Sequence, residues 1–122
     1  MRIFKTKWFV RYARRERIED QSLSEAVERA ERGIIDADLG GGIIKQRVAR
    51  IGRGRSSGYR MLVAYRCGDL AVFLYGFAKK ERDNIEDDEL ESLRNIAGDL
   101  FDCTAECIEK QVKDGRLQEV KP

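Results

Sequence analysis

The stretch from Gly58 to Arg82, GYRMLVAYRCGDLAVFLYGFAKKER, constrains the fold of this chain more than any other. Two runs rich in Val, Leu, Phe and Tyr flank Cys67-Gly68-Asp69, and a short Gly-Asp connection between such runs is the signal of a β-hairpin. Neither run alternates apolar with polar residues, so both are expected to be central strands covered on each face by other elements. Basic residues close the outer ends, Arg60 on the first strand and Lys79, Lys80 and Arg82 at the end of the second. With a two-residue loop at Gly68-Asp69, Cys67 faces Leu70 and Arg60 faces Phe77. Lys79 then lies diagonally across from Arg60 at roughly 7 to 8 Å, close enough for both cations to touch one phosphate. A three-residue loop brings Lys80 onto that face instead, because a slip of one residue inverts a strand.

A hairpin of this kind needs covering elements, and the flanking sequence supplies them. Residues 3–18 place Trp8, Phe9, Tyr12 and Ala13 near helical spacing, with Lys5, Lys7, Arg11, Arg14, Arg15 and Arg17 between them. This predicts an amphipathic helix whose aromatic stripe is core rather than a platform for bases. Its cations are either a solvated face or an extension of a basic surface. Ser22-Leu23-Ser24-Glu25 has the capping-box pattern, Leu23, Ala26, Val27 and Ala30 follow at helical spacing, and Gly33 supplies a stop. Gly40-Gly41-Gly42 leads into a β-rich run without the GK[ST] of a phosphate loop, so a turn or bulge before a strand is expected. Along Ile43–Ala49 the period of two puts Lys45 and Arg47 on one face. Gly52 to Gly58 is a glycine-rich loop whose Arg53 and Arg55, with Arg50 just before it, suit bidentate phosphate contacts. Beyond Arg82, acidic residues from Asp83 to Glu89 suit a helix N-terminus. A stripe from Leu90 to Ile108 then predicts one helix to about Lys113, with Gly98 as a candidate kink, Gly115 as the stop and a frayed tail after it. The order ααβββα gives an α+β fold: a small antiparallel sheet with two N-terminal helices and a C-terminal helix, in a single domain over residues 1–122.

Charge is segregated along the chain although the net charge is only +2. Residues 39–68 hold Lys45, Arg47, Arg50, Arg53, Arg55, Arg60 and Arg66 without one Asp or Glu, whereas residues 81–109 hold eleven acids against Arg82 and Arg94. Either the basic segment meets a polyanion, or the two regions complement each other on the surface. No apolar run reaches the length of a membrane-spanning helix and the N-terminus lacks a secretory apolar segment, so a cytoplasmic protein is expected. Cys67, Cys103 and Cys107 have no paired metal-ligand spacing and there is no histidine, which favours reduced thiols, no metal and no cofactor. Acid and base chemistry must then fall to Lys, Arg, Glu, Asp, Tyr or Cys.

At SSGYRMLVAYR and again at VFLYGFAKKERDNI the chain resembles the RelE/ParE superfamily of toxins from bacterial type II toxin-antitoxin systems. It is most similar to the RelE/HigB branch, whose strand-ending pattern F-x-K-x-x-R-x-N-I is present as Phe77, Lys79, Arg82, Asn84 and Ile85; DLGGGIIKQRVA also fits. The resemblance implies a RelE-like microbial RNase-type fold and an mRNA interferase, an endoribonuclease working without metal, that cuts messenger RNA on the ribosome and so inhibits translation. It further implies a cognate antitoxin protein as partner. A ParE-like toxin that inhibits DNA gyrase by protein binding, and a non-catalytic nucleic-acid-binding module, are the alternatives on the same fold.

Under that resemblance Arg60 takes the family's GYR arginine position at the scissile phosphate, Lys79, Lys80 and Arg82 form its basic strand end, and Lys45 and Arg47 approximate its Lys-x-Lys pair. Some RelE toxins carry a tyrosine shortly after the basic segment, where this chain has Ile85-Glu86. Attack of a ribose 2′-OH on phosphorus needs a base, a stabilised phosphorane and an acid for the leaving oxygen, and crowded cations ease proton release from a lysine among them. Arg60 and Arg82 are accordingly assigned to the phosphorane and Lys45 with Lys79 or Lys80 to proton transfer, while Glu81 or Glu86 stays open as base. Arg47, Arg50, Arg53 and Arg55 are the candidate RNA contacts.

Overall fold

Both apolar runs form strands at the centre of a six-stranded sheet. The computed structural model describes residues 1–49 and 58–121. Along the chain lie β1 (Arg2–Thr6), α1 (Lys7–Glu16), α2 (Asp20–Glu31), β2 (Ala37–Gly40), β3 (Ile43–Val48), β4 (Tyr59–Arg66), β5 (Leu70–Ala78), α3 (Asp87–Phe101), α4 (Ala105–Lys113) and β6 (Leu117–Glu119). The strand order is β2-β3-β4-β5-β1-β6, antiparallel throughout except where β1 runs parallel to β5. This is the expected α+β class, with a larger sheet and more helices than the sequence pattern predicts.

The sheet is covered on both faces, which is why β4 and β5 show no alternation. On one face Phe9, Tyr12, Leu23 and Val27 of α1 and α2 pack against Met61, Val63 and Phe73. On the other, Ala97, Leu100 and Ile108 of α3 and α4 pack against Phe4, Leu62 and Val72. Gly76 lets α1 come close, since a Cβ there would stand 2.9 Å from the Tyr12 ring and 3.0 Å from Met61 Sδ.

The hairpin reaches the expected register by a different route. Its loop is three residues, Cys67 to Asp69, with Arg66 opposite Leu70 and the Asp69 N–H donating to Arg66 O at 3.0 Å. Left alone, that loop would move Arg60 off Phe77. Between Leu62↔Tyr75 and Val63↔Phe73, however, Leu74 has no partner on β4, and this bulge restores Arg60↔Phe77 and Tyr59↔Ala78.

Three other expectations change. Residues 2–6 are a strand, and the helix begins only after Thr6, whose Oγ1 accepts the Phe9 N–H at 3.2 Å. Lys5 therefore belongs to no outer helical face: it is buried and bonded to Asp20 at 2.7 Å. The predicted C-terminal helix is two helices, because Thr104 caps a new one by accepting the Cys107 N–H. Gly98, the candidate kink, lies inside the first of them. The tail is not frayed: β6 pairs with β1, and Leu117 and Val120 are buried. Cys103, in the break, and Cys107, in α4, have Cα atoms 5.3 Å apart and form a disulfide, where reduced thiols were expected, while Cys67 is free. Among the described residues no helix is long and apolar enough to cross a membrane.

Candidate active site on the open face of the sheet

The period of two puts Ile43, Lys45 and Arg47 of β3 on the same sheet face as Arg60, Leu62 and Ala64 of β4. The lower part of that face is closed by α3 and α4; the upper part carries the charges. In register, Lys45 stands opposite Leu62, Arg47 opposite Arg60, and Arg60 opposite Phe77. Two arginines thus face each other across a non-edge pair of strands, an arrangement that like-charge repulsion disfavours. Asp36, just before β2, offsets part of this by binding Arg47 at 2.8 Å.

Arg60 is only 5% exposed. Burial pulls its pKa below the usual arginine value, Arg47 adds to that, and Asp36 opposes it. An arginine stays charged under such shifts, so the site holds a desolvated cation beside a second one. Lys45 is half-buried on the same face. Lys79 and Lys80 are exposed in the turn that follows β5. The Lys79 N–H donates to Gly58 O at 3.2 Å, extending the β4–β5 ladder by one step and putting Lys79 at a register position on the Phe77 side. The structure therefore brings Lys45, Arg47, Arg60 and Lys79 to one end of one face. Arg50, Arg53 and Arg55 lie outside the described residues.

Arg82 is placed differently from the other cations. Its Nη2 is 2.8 Å and its Nη1 3.3 Å from the Glu89 carboxylate, Nη1 also donates to Tyr75 OH at 3.2 Å, and Nε donates to Asn84 O at 2.8 Å. The guanidinium lies 5.7 Å from the centre of the Phe77 ring. Glu89 holds Arg82 in its charged form, and Arg82 holds the Glu89 carboxyl below the usual range. The arginine thus ties the turn after β5 to the first turn of α3. Glu86, one of the two carboxylates left open as base, is the N-cap of α3 in a capping box with Glu89. Glu81, the other, is exposed in the turn that follows β5.

Sequence reasoning missed Tyr75 and Asp36. Tyr75 shares its strand face with Phe77, their ring centres 6.3 Å apart, and its hydroxyl is fixed by Arg82. A count of two back from Phe77 finds it. Asp36 carried no signal, because it reaches Arg47 only through the turn of the β2–β3 hairpin. Nor do the ion pairs found among the described residues join the basic segment to the acidic one: Arg47 pairs with Asp36, Arg66 with Asp69, Arg82 with Glu89 and Arg94 with Glu91.

Compared with known families, residues 1–120 match the model of the RelE toxin of the RelE / RelB toxin-antitoxin system. The chain belongs to the RelE toxin family. No curated protein and no solved structure matched it. As a RelE-family chain it is the toxin of a toxin-antitoxin system, and membership implies a cognate antitoxin. The match spans the α1 segment and the C-terminal helices as well as the hairpin, so it extends beyond the motifs between Asp38 and Ile85 that carry the sequence resemblance.

Proposed function

We propose that this toxin is an mRNA interferase that cuts messenger RNA at the ribosome, with Arg60 at the scissile phosphate. The observation that carries the reading is the Arg47↔Arg60 pair, a buried guanidinium opposite a second one at the charged end of the open face. Folding gains nothing from opposing like charges, whereas a phosphate gaining negative charge in the transition state is stabilised by both.

The chemistry then follows from the positions. A ribose 2′-oxygen attacks the adjacent phosphorus as its proton is removed, the phosphorane forms beside Arg60, and the P–O5′ bond breaks with a proton delivered to the departing oxygen. The products are a 2′,3′-cyclic phosphate and a 5′-hydroxyl. Lys45 on the strand face and Lys79 or Lys80 at the strand end carry the protons, and Arg47 steadies the flanking phosphate. Arg82, engaged by Glu89 and Tyr75, acts from the rim of the site and fixes the phenol. Glu86 is engaged as the N-cap of α3 and supports no role as base.

Primer extension on messenger RNA from cells expressing the protein tests this. Codon-linked cuts are expected from the wild type, and Arg60→Ala should lower them about 10²- to 10³-fold while the protein still folds. Cuts that persist in Arg60→Ala remove that residue from the site. Whole transcripts accompanied by gyrase-linked DNA damage would place the toxin with the gyrase inhibitors instead.

A further inference from the structure

The parallel pairing of β1 with β5 ends at Lys5↔Phe73, yet β5 continues to Ala78. Beyond that point the edge of β5 borders the start of α1, and Trp8 sits there. Phe9, Tyr12 and Ala13 turn into the core as the aromatic stripe predicts, but Trp8 remains 42% exposed. Its indole contacts two rings, Tyr12 at 5.1 Å and nearly parallel, and Tyr75 at 4.6 Å. It forms one wall of an apolar groove of about 440 Å³ whose other side includes Tyr75, Ile85, Leu93 and Ile96. The rings of Trp8, Tyr75 and Phe77 make a row along the sheet that ends opposite Arg60.

We propose that Trp8 stacks an unpaired base of the RNA whose phosphate lies at Arg60, so that this groove is a base subsite; the inference rests on the nuclease reading above. A ring held in place by other rings loses little freedom when a base stacks on it, and stacking accepts any base because all have a π face. The groove lies between a basic helix and an acidic one, and its α1 wall suits a nucleic acid strand. Lys7, Arg11, Arg14 and Arg15 are exposed on α1, whose first turn holds no acid, and can follow the phosphates. On the opposite wall Glu89 is engaged by Arg82. RNA is the occupant that the Trp8 ring and the α1 cations favour together, its phosphates running on the α1 side, away from Asp87, Asp88 and Glu91 of α3.

Trp8 is the sole tryptophan of the chain, so its fluorescence reports on the subsite alone. The probe is a short single-stranded 2′-O-methyl RNA, which binds without being cut, with inorganic polyphosphate as a polyanion lacking bases. Quenching of the emission by the RNA and none by polyphosphate is expected. Trp8→Leu should weaken RNA binding about tenfold to a hundredfold with an unchanged far-UV spectrum, and Trp8→Phe should recover most of it. RNA that binds, by anisotropy of a labelled strand, without altering the emission overturns the proposal, as does Trp8→Leu binding like wild type. Emission that responds to a protein partner but not to RNA overturns it as well. The two readings separate: cleavage in cells with no stacking leaves the nuclease and removes the subsite, whereas stacking without cleavage does the reverse.

Discussion

The arginine pair across β3 and β4 makes a prediction about stability that is independent of catalysis. Arg47→Met and Arg60→Met, singly and together, form a double-mutant cycle in which contacts that either arginine makes elsewhere cancel, leaving the term between the two. Like charges directly opposite on neighbouring strands destabilise by about 0.2 to 1 kcal/mol. Arg60 is buried, which raises the term, but Arg47 is 49% exposed and bound to Asp36 at 2.8 Å, which lowers it. We therefore expect about 0.5 kcal/mol of repulsion at low salt, so that removing either arginine benefits the fold more while the other is present. Urea unfolding resolves this if the slope is common to all four proteins. The repulsion should shrink as salt rises from about 0.01 M to 1 M, where the screening length falls from about 30 Å to 3 Å. Inorganic phosphate should stabilise the wild type more than either single variant. A coupling that is attractive, or that is zero at every salt concentration, would refute the idea that the site holds two cations together for a bound anion.

Two further measurements address parts of the fold outside the site. Glu31, Glu89 and Glu119 have carboxyls lowered by the Tyr65 hydroxyl, Arg82 and Arg2 respectively. A depressed carboxyl contributes stability that is complete above its unfolded value of about 4.3 and is lost as pH falls through the lower folded value. Urea midpoints should accordingly be level from pH 7 to about 5 and fall below about 4.3, with Glu31→Gln showing a shallower fall; a midpoint unchanged down to pH 3 would contradict these pairings. Deleting residues 117–122 should be costly, since it uncovers β1 and removes Leu117 and Val120, each buried. At about 1.5 to 3 kcal/mol per side chain, the loss is a large part of the total for a domain of this size, and thermal unfolding within about 2 °C of wild type would show that β6 does not hold.

What the sequence made legible is whatever depends on local period. Two apolar runs without alternation announced central strands, and counting by twos aligned Lys45 with Arg47 and Arg60 with Phe77. What it concealed depends on partners far along the chain. Arg2 to Thr6 is a strand because β5 and β6 lie on either side of it, and nothing within RIFKT distinguishes that from a helical turn. The break at Thr104 hid because the 3.6-residue stripe runs through it unchanged, although a threonine oxygen free to cap was the available signal. Arg82 looked like one more member of a basic cluster, since the six residues between it and Glu89 cross a turn.

The hairpin shows most directly why agreement with a register is weaker support than it looks. A two-residue loop and a three-residue loop with one bulge both pair Arg60 with Phe77, but they differ in what lies between. In the second, Leu74 and Tyr75 both turn toward the α3 side of the sheet. Tyr75 stands opposite Leu62 in either case, its hydroxyl at Arg82 and its ring at Trp8; the extra residue instead turns Phe73 to the α1 side and Val72 and Leu74 to the α3 side. With an unbroken two-residue hairpin the Arg60 pairing would be the same, but Leu74 and Tyr75 would point to opposite faces and could not both join that side. The bulge therefore decides how β5 fills the two cores, Phe73 against Phe9 on one side and Val72 and Leu74 under α3 on the other, and an alternation count applied to β5 alone cannot reveal it, because these residues are apolar enough to fit either face.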